Sequence, residues 1–386
     1  MLPSTYMAAT VSDLIADINA AKNGDTITLA PNTTFNLTAV NNTTNGTNGL
    51  PVIKRDLTIS GQGGDIIQRD RAAPDFRLFD VATSASLMLQ SLTLQNGVAF
   101  GLGNAAEGGA TYNQGTLVLS AVTVVGNIAQ GSLGAPGQNG GDSAGGGIWS
   151  CGSLTLENGT LLGPNEAIGG NGGRSSKQVG GKAGVGGNAS GGGLYVAGGT
   201  ANLTAVTVNA NTAQGGAGGA AFNGLDSFVY NSTGNASGAG IYVAAATVTL
   251  SGDTVNGNIA DACVGRGRGG SAIGGGLYVE AGTIALSGDM VASNLVRTGY
   301  PAVADGAAIY IASRVMVTLC NDTVESNTAD DTCGGTTFPG VFSNGGGIYI
   351  SSGSTVYIDS FTVANTINNT AFNAPNIDGT YILQSC

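Results

Sequence analysis

The residues Gly191–Asn211, GGGLYVAGGTANLTAVTVNAN, decide the fold of this chain. Leu194 and Val196, then Ala201 and Leu203, then Val206 and Val208 alternate with small or polar neighbours. Alternation over three to five β-prone residues, bounded by Gly or Asn, predicts short strands with one buried face. Such strands bury nothing alone, but a second copy stacked above them can close the core. That copy exists: Gly274–Asn294 reads GGGLYVEAGTIALSGDMVASN. The pattern recurs from Gly108, Gly145, Gly191, Gly238, Gly274, Gly306 and Gly345. Asparagines close the copies at Asn127, Asn211, Asn258, Asn294 and Asn327, and two copies slip by one residue, to Asn165 and Asn365. Successive copies spaced at ~4.8 Å would pair every strand with those above and below. The reading is an all-β parallel β-helix with three-stranded rungs. Asn at a tight corner tolerates left-handed φ, and identical amides can bond up a column.

Length varies almost wholly between each closing Asn and the next glycine triplet. Insertions such as 131–145, GSLGAPGQNGGDSAG, and 169–190, GGNGGRSSKQVGGKAGVGGNAS, therefore leave one edge of the solenoid. They suit either a partner surface or flexible spacers. Before the repeats, VSDLIADINAAK at 11–22 has helical apolar spacing and ends at Asn23-Gly24, which predicts a short capping helix. Strands follow at DTITLA, LTISGQ, FRLFDV and LMLQSLTLQNG. Residues 1–107 read as cap and first rungs and 108–386 as repeat rungs, all in one domain, 1–386.

The run from AAKNGDTITLAPNTTFNLT through LPVIKRDLTISGQG, FRLFDV and LTLQNG to GGGIYI resembles a family of bacterial extracellular right-handed parallel β-helices. These share a pectate-lyase-like fold, and the GGGIY…N rungs are similar to repeats of polymorphic outer-membrane proteins. The resemblance covers most of the chain. It implies a right-handed coil, export and a surface or matrix role, and it names no catalyst.

Composition narrows the function. Net charge is −11 and the pI near 4.2, which disfavours nucleic acid and anionic membrane partners. No window is long and apolar enough to span a bilayer. Met1 to Thr10 lacks the charged and apolar regions of a signal peptide, so an exported protein would be represented here by its mature portion. Twelve N-x-Ser/Thr sequons, Asn32 and Asn231 among them, fit a glycosylated surface or simply a Thr/Asn-rich composition. With no histidine, Ser-His and Cys-His nucleophiles are excluded and a zinc site is improbable. The polysaccharide lyases and glycoside hydrolases that use this fold need clustered acids, with a base or at a fixed separation, and the strand positions offer few. Arg69, Asp70, Arg71, Asp75 and Arg77 form a mixed-charge patch that reads as the tie for an early loop.

Two columns carry the candidate sites. Tyr112, Trp149, Tyr195, Tyr242, Tyr278, Tyr310 and Tyr349 share one rung position, between inward apolar neighbours. An outward aromatic stripe serves as a structural ladder, a self-association surface or a platform for sugars. Asp253, Asp289 and Asp322 stand three residues after successive rung leucines. Like charges stacked there imply either a solvated corner or a bridging cation such as Ca²⁺. Of the five cysteines, Cys320 and Cys333 lie about one rung apart and are the disulfide candidates, with one thiol left over. The expected function is that of an extracellular structural or adhesive surface protein, self-associating into a filament, sheath or layer. The alternatives are a glycan-binding adhesin and, further off, a polysaccharide lyase or hydrolase. The implied partners are other copies of the chain or surface glycans, with no cofactor.

Overall fold

The computed structural model describes residues 3–101, 106–175, 181–222, 228–265, 267–332 and 343–386. The chain forms a parallel β-helix. The expected helix, Val11–Ala20, begins at a capping box: the Thr10 hydroxyl accepts from Asp13 N, and the Asp13 carboxylate accepts from Thr10 N. Its buried Leu14 and Ile18 cover the first rungs. The helix stops at Ala20, just short of Lys22.

Each rung divides more finely than into three segments. One turn runs through Ala106–Glu107, Thr111–Asn113, Thr116–Ser120, Thr123–Val125 and Ile128–Gln130. Every segment pairs in parallel with its counterpart one turn on. Leu119 stacks on Leu156, Leu203, Leu250, Leu286, Leu319 and Ile358 in unbroken register. One hydrophobic cluster extends from Ala8 to Ile358. A second, thinner cluster is almost all alanine, including Ala167, Ala189, Ala213, Ala236 and Ala260. There the sheet faces approach too closely for larger side chains.

The closing asparagines form a buried amide column. Asn258 Oδ1 accepts from both the backbone N–H and the Nδ2 of Asn211, each at 3.0 Å. Asn258 Nδ2 donates to Val208 O and to Asn294 Oδ1. The same pattern repeats at Asn127, Asn165, Asn211, Asn294 and Asn327. Two details differ from the sequence reading. The left-handed residue is the one before the asparagine, as at Gly126, Ala210, Gly257, Ser293 and Ser326. On the last rung the column is continued by Asn369, not Asn365. A helical turn, Ser360–Ala364, takes up extra residues there, and Asn365 caps its end.

The described parts of the glycine-rich insertions are not free spacers, because they bond to one another from rung to rung. Gly131, Gly134 and Gly137 donate their N–H groups to Ile168, Asn171 and Arg174. Gly169, Gly172 and Ser175 donate to Gln214, Ala217 and Ala220 in the same way. The step of three residues, with these partners on neighbouring segments, is that of an extended threefold helix of the polyproline type. The returning arms pack against these: Gly170 N bonds Gly141 O, Gly187 N bonds Gly170 O, and Gly216 N bonds Gly187 O. A Cβ on Gly187 would lie 2.0 Å from Gly141 O, and one on Gly184 1.7 Å from Gln138 O. Glycine is required here because backbone meets backbone.

Arg69 ties down the early loop as expected, donating to Ala73 O at 2.7 Å and to Asn96 O at 2.9 Å, with Asp75 at 3.7 Å. The disulfide assignment is corrected. Cys320 is bonded to Cys386, 66 residues on, and Cys333 lies outside the described residues. The C-terminal segment returns to pair Ile382 and Leu383 with Tyr357 and Ile358, one rung above Cys320, which brings Cys386 beside it. Cys263 is also disulfide-bonded, and Cys151 is a free thiol.

Candidate functional site

The aromatic column is in register over seven rungs, from Tyr112 through Trp149, Tyr195, Tyr242, Tyr278 and Tyr310 to Tyr349. Ring centroids lie 4.4 Å apart for Tyr112 and Trp149 and 4.7 Å apart for Tyr195 and Tyr242, nearly parallel in both pairs. Tyr278, Tyr310 and Tyr349 continue the stack at 5.2 and 4.9 Å. Three pairs, Tyr112–Trp149, Tyr195–Tyr242 and Tyr310–Tyr349, thus spend faces on one another, whereas Tyr278 is tilted by 50° against Tyr242 and 44° against Tyr310. Tyr112 and Tyr242 are buried and the others half-buried. Burial pushes the phenols of Tyr112, Tyr195 and Tyr278 up to about 12. Tyr242 is raised further, by burial and by donating to Glu280 at 2.7 Å. At Tyr112, Trp149 and Tyr195 the column forms the floor of a groove.

The groove's other wall arises one bend earlier in each rung. The first glycine of every triplet, Gly108, Gly145 and Gly191 among them, has positive φ. That left-handed residue folds the preceding two-residue strand toward the aromatic strand. Glu107, Ala144 and Ser190 therefore stand in column beside Tyr112, Trp149 and Tyr195. Two hollows result. One, of about 610 Å³, is lined by Asn45, Thr47, Asp75, Arg77, Glu107 and Tyr112, with Thr43, Gly46, Phe100 and Gly101. The other, of about 290 Å³, is lined by Glu107, Asp142, Trp149, Asn188, Ser190 and Tyr195 among others. Glu107 is common to both. A third hollow, about 380 Å³ beneath the capping helix, contains no aromatic residue, and Arg55 there is bonded to Ala21 O. It is a seam between cap and coil.

Within the larger hollow Arg77 is almost wholly buried and lies over the Tyr112 ring, 4.8 Å from its centroid. One guanidinium nitrogen donates to Asn45 O at 2.8 Å, while the buried Nε has no partner among the described residues. Asp80, fully buried nearby, accepts from Asn45. Burial raises the Asp80 and Glu107 carboxyls, against the opposing pull of Arg77. The sequence reading placed Arg77 in the loop patch and did not single out Glu107. The available signal was an acid directly before the first glycine corner, where the next four rungs carry Ala144, Ser190, Ser237 and Ile273 and only the fifth has another acid, the buried Asp305.

The aspartate column is neither solvated nor laid out as an open ligand set. Asp253, Asp289 and Asp322 are buried. Each takes one backbone N–H from the rung below, from Val206, Asp253 and Asp289 respectively, at 2.7 to 2.9 Å. The second oxygen takes the N–H two residues back, from Ser251, Ser287 and Cys320. Only donors face these side chains, which is why the column uses Asp where the amide column uses Asn. Among the described residues no group of three or more His, Cys, Asp or Glu is placed to share a metal ion. The last rung carries Thr362 at this position, accepting from Asp322 N at 2.9 Å, in place of the Phe361 that simple counting indicates.

Burial outweighs those N–H bonds and raises Asp253 and Asp322 to about 7 and Asp289 to about 6. For acids raised above their ordinary value, the associated stability is complete at low pH and is lost as pH rises through the folded values. Melting temperature should accordingly be higher at pH 5 than at pH 8. Asp322→Thr, copying Thr362, should flatten that slope, and an unchanged slope would show that the column does not titrate in this range.

No family model matches the chain, and no curated protein is significantly similar to it. Among the described residues no helix is long and apolar enough to cross a membrane.

Proposed function

We propose that this β-helix is an extracellular surface protein of adhesive type that holds a saccharide chain along the groove beside its aromatic column. The observation that carries the reading is two adjoining hollows that share the open carboxylate of Glu107 and are lined by Tyr112, Trp149 and Tyr195. Sugars offer hydroxyls as both donors and acceptors, together with apolar C–H patches, and such a lining suits both. The two hollows share Glu107 and follow the solenoid axis, which fits an extended chain better than one compact molecule. The disulfide between Cys320 and Cys386 supports an oxidising, extracellular location.

Trp149 is the only tryptophan in the chain and lines the second hollow. Titration with oligosaccharides should shift its fluorescence in a saturable way, and Tyr195→Ala should weaken the response about tenfold, the effect of losing one good contact. If no glycan in a broad panel perturbs Trp149 or is retained by the protein, the reading fails.

Self-association through the same column is the second reading. What favours it is that Tyr278, Tyr310 and Tyr349 are only half-buried and continue the column, with centroids 5.2 and 4.9 Å apart, away from the two hollows. Electron microscopy distinguishes the two: laterally joined rods support assembly, whereas dispersed rods leave glycan binding.

A further inference from the structure

We propose that Glu107 is the residue that selects the groove's ligand, admitting uncharged polysaccharide chains and turning away polyuronates; this rests on the reading of the groove as a glycan site. Glu107 forms a wall of both hollows, so a chain lying in the groove must pass it. It is half-buried, and among the described residues no donor hydrogen-bonds its carboxylate. An acceptor held there without a protein donor is matched by a ligand hydroxyl or amide N–H.

The surrounding charges favour the same class of ligand. Arg77 is the one cation in the two linings. It faces Asp80 across the floor and Glu107 at the wall, both of which pull on its charge. Asp75 and Asp142 add exposed carboxylates at the rims, and the remaining titratable neighbours, Tyr112 and Cys151, are raised by burial and neutral near pH 7. A uronate carboxylate entering beside Glu107 would meet like charge in a partly dehydrated site. Like-charge juxtaposition is an effective way to reject a competing ligand. A neutral sugar meets no such opposition, and Glu107 can accept from its O–H or N–H. Position adds to the effect, because Ala144, Ser190, Ser237 and Ile273 take the equivalent place on the next four rungs.

The test compares two probes of equal length, a neutral chito- or cello-oligosaccharide and an oligogalacturonate, on the full chain and on Glu107→Gln. Binding is read by Trp149 fluorescence and by affinity electrophoresis. The full chain should bind the neutral probe at least about tenfold more tightly. Glu107→Gln, equal in size and uncharged, should close most of that gap by gaining oligogalacturonate binding, with unchanged β circular dichroism. A preference for oligogalacturonate in the unmodified chain overturns the proposal, as does a ratio that Glu107→Gln leaves unmoved. If the unmodified chain binds neither probe, the glycan reading itself falls. If it binds the neutral probe but the ratio does not respond, only the role of Glu107 falls.

Discussion

Asn258→Ala is expected to destabilise the protein by on the order of 4 kcal/mol, far more than a surface change such as Thr249→Ala on the same rung. The side chain removed supplies the acceptor for Asn211 N–H and Asn211 Nδ2, and the donor for Val208 O and Asn294 Oδ1. A methyl in its place leaves Asn211 N–H buried without a partner, and each stranded buried group costs about 1–3 kcal/mol. Nearest-neighbour coupling in a repeat array confines the damage to the rungs on either side. Amide exchange at Asn211 should therefore accelerate before that of distant rungs. Asn258→Asp should be worse, since it sets a carboxylate against Val208 O and Asn294 Oδ1. Asp289→Asn should fail for the opposite reason, turning an N–H₂ toward the N–H of Ser287. Urea midpoints for Asn258→Ala and Thr249→Ala that agree within error would refute the role assigned to the amide column.

Gly187→Val should disrupt the glycine layer while leaving the coil intact. The new Cβ falls 2.0 Å from Gly141 O, where no side chain fits without moving backbone. The cost is about 3 kcal/mol, at the upper end for overpacking. That corresponds to roughly hundredfold faster exchange of the Gly170 and Gly216 amides, which belong to the same bonded column. Core amides such as that of Leu203 should be unaffected, because Leu203 belongs to the aliphatic cluster, to which the glycine layer contributes no residue. Gly198→Ala is the control: its Cβ would meet nothing closer than 3.8 Å. Equal tolerance of both substitutions would mean that the insertions are not packed as described.

The coil itself was legible, because alternation and fixed spacing identify which residues must stack: Leu119 on Leu156, and Tyr195 on Tyr242. Spacing failed for the amide column where an extra turn intervened, at 360–364, which moved it to Asn369. The glycine layer was hidden for a different reason. Its bonds join backbone to backbone between segments far apart in sequence, and only the local spacing of Gly131, Gly134 and Gly137 hints at them. The aspartate column was visible as a column but not in its purpose, since backbone N–H donors have no signature in the sequence. The register of the aromatic column could be read, whereas its partners in the groove could not. Arg77 and Glu107 meet only because one turn of coil and one left-handed glycine bring them together. The partner of Cys320 was equally remote, being fixed by the return of the final strand.

The glycine layer also gives this molecule an unusual response to temperature. A packed array without side chains removes almost no apolar surface from water, so its formation carries little of the heat-capacity change that governs hydrophobic cores. Cooling, which weakens apolar association, should therefore leave this layer comparatively untouched. Heating acts in the other direction, because ordered glycine surrenders more chain entropy than any other residue. The insertions should then be the first part released as temperature rises, well before the aliphatic coil beneath them. Two materials with opposed thermal habits are thus joined along one axis: a core that tolerates heat and an edge layer that tolerates cold.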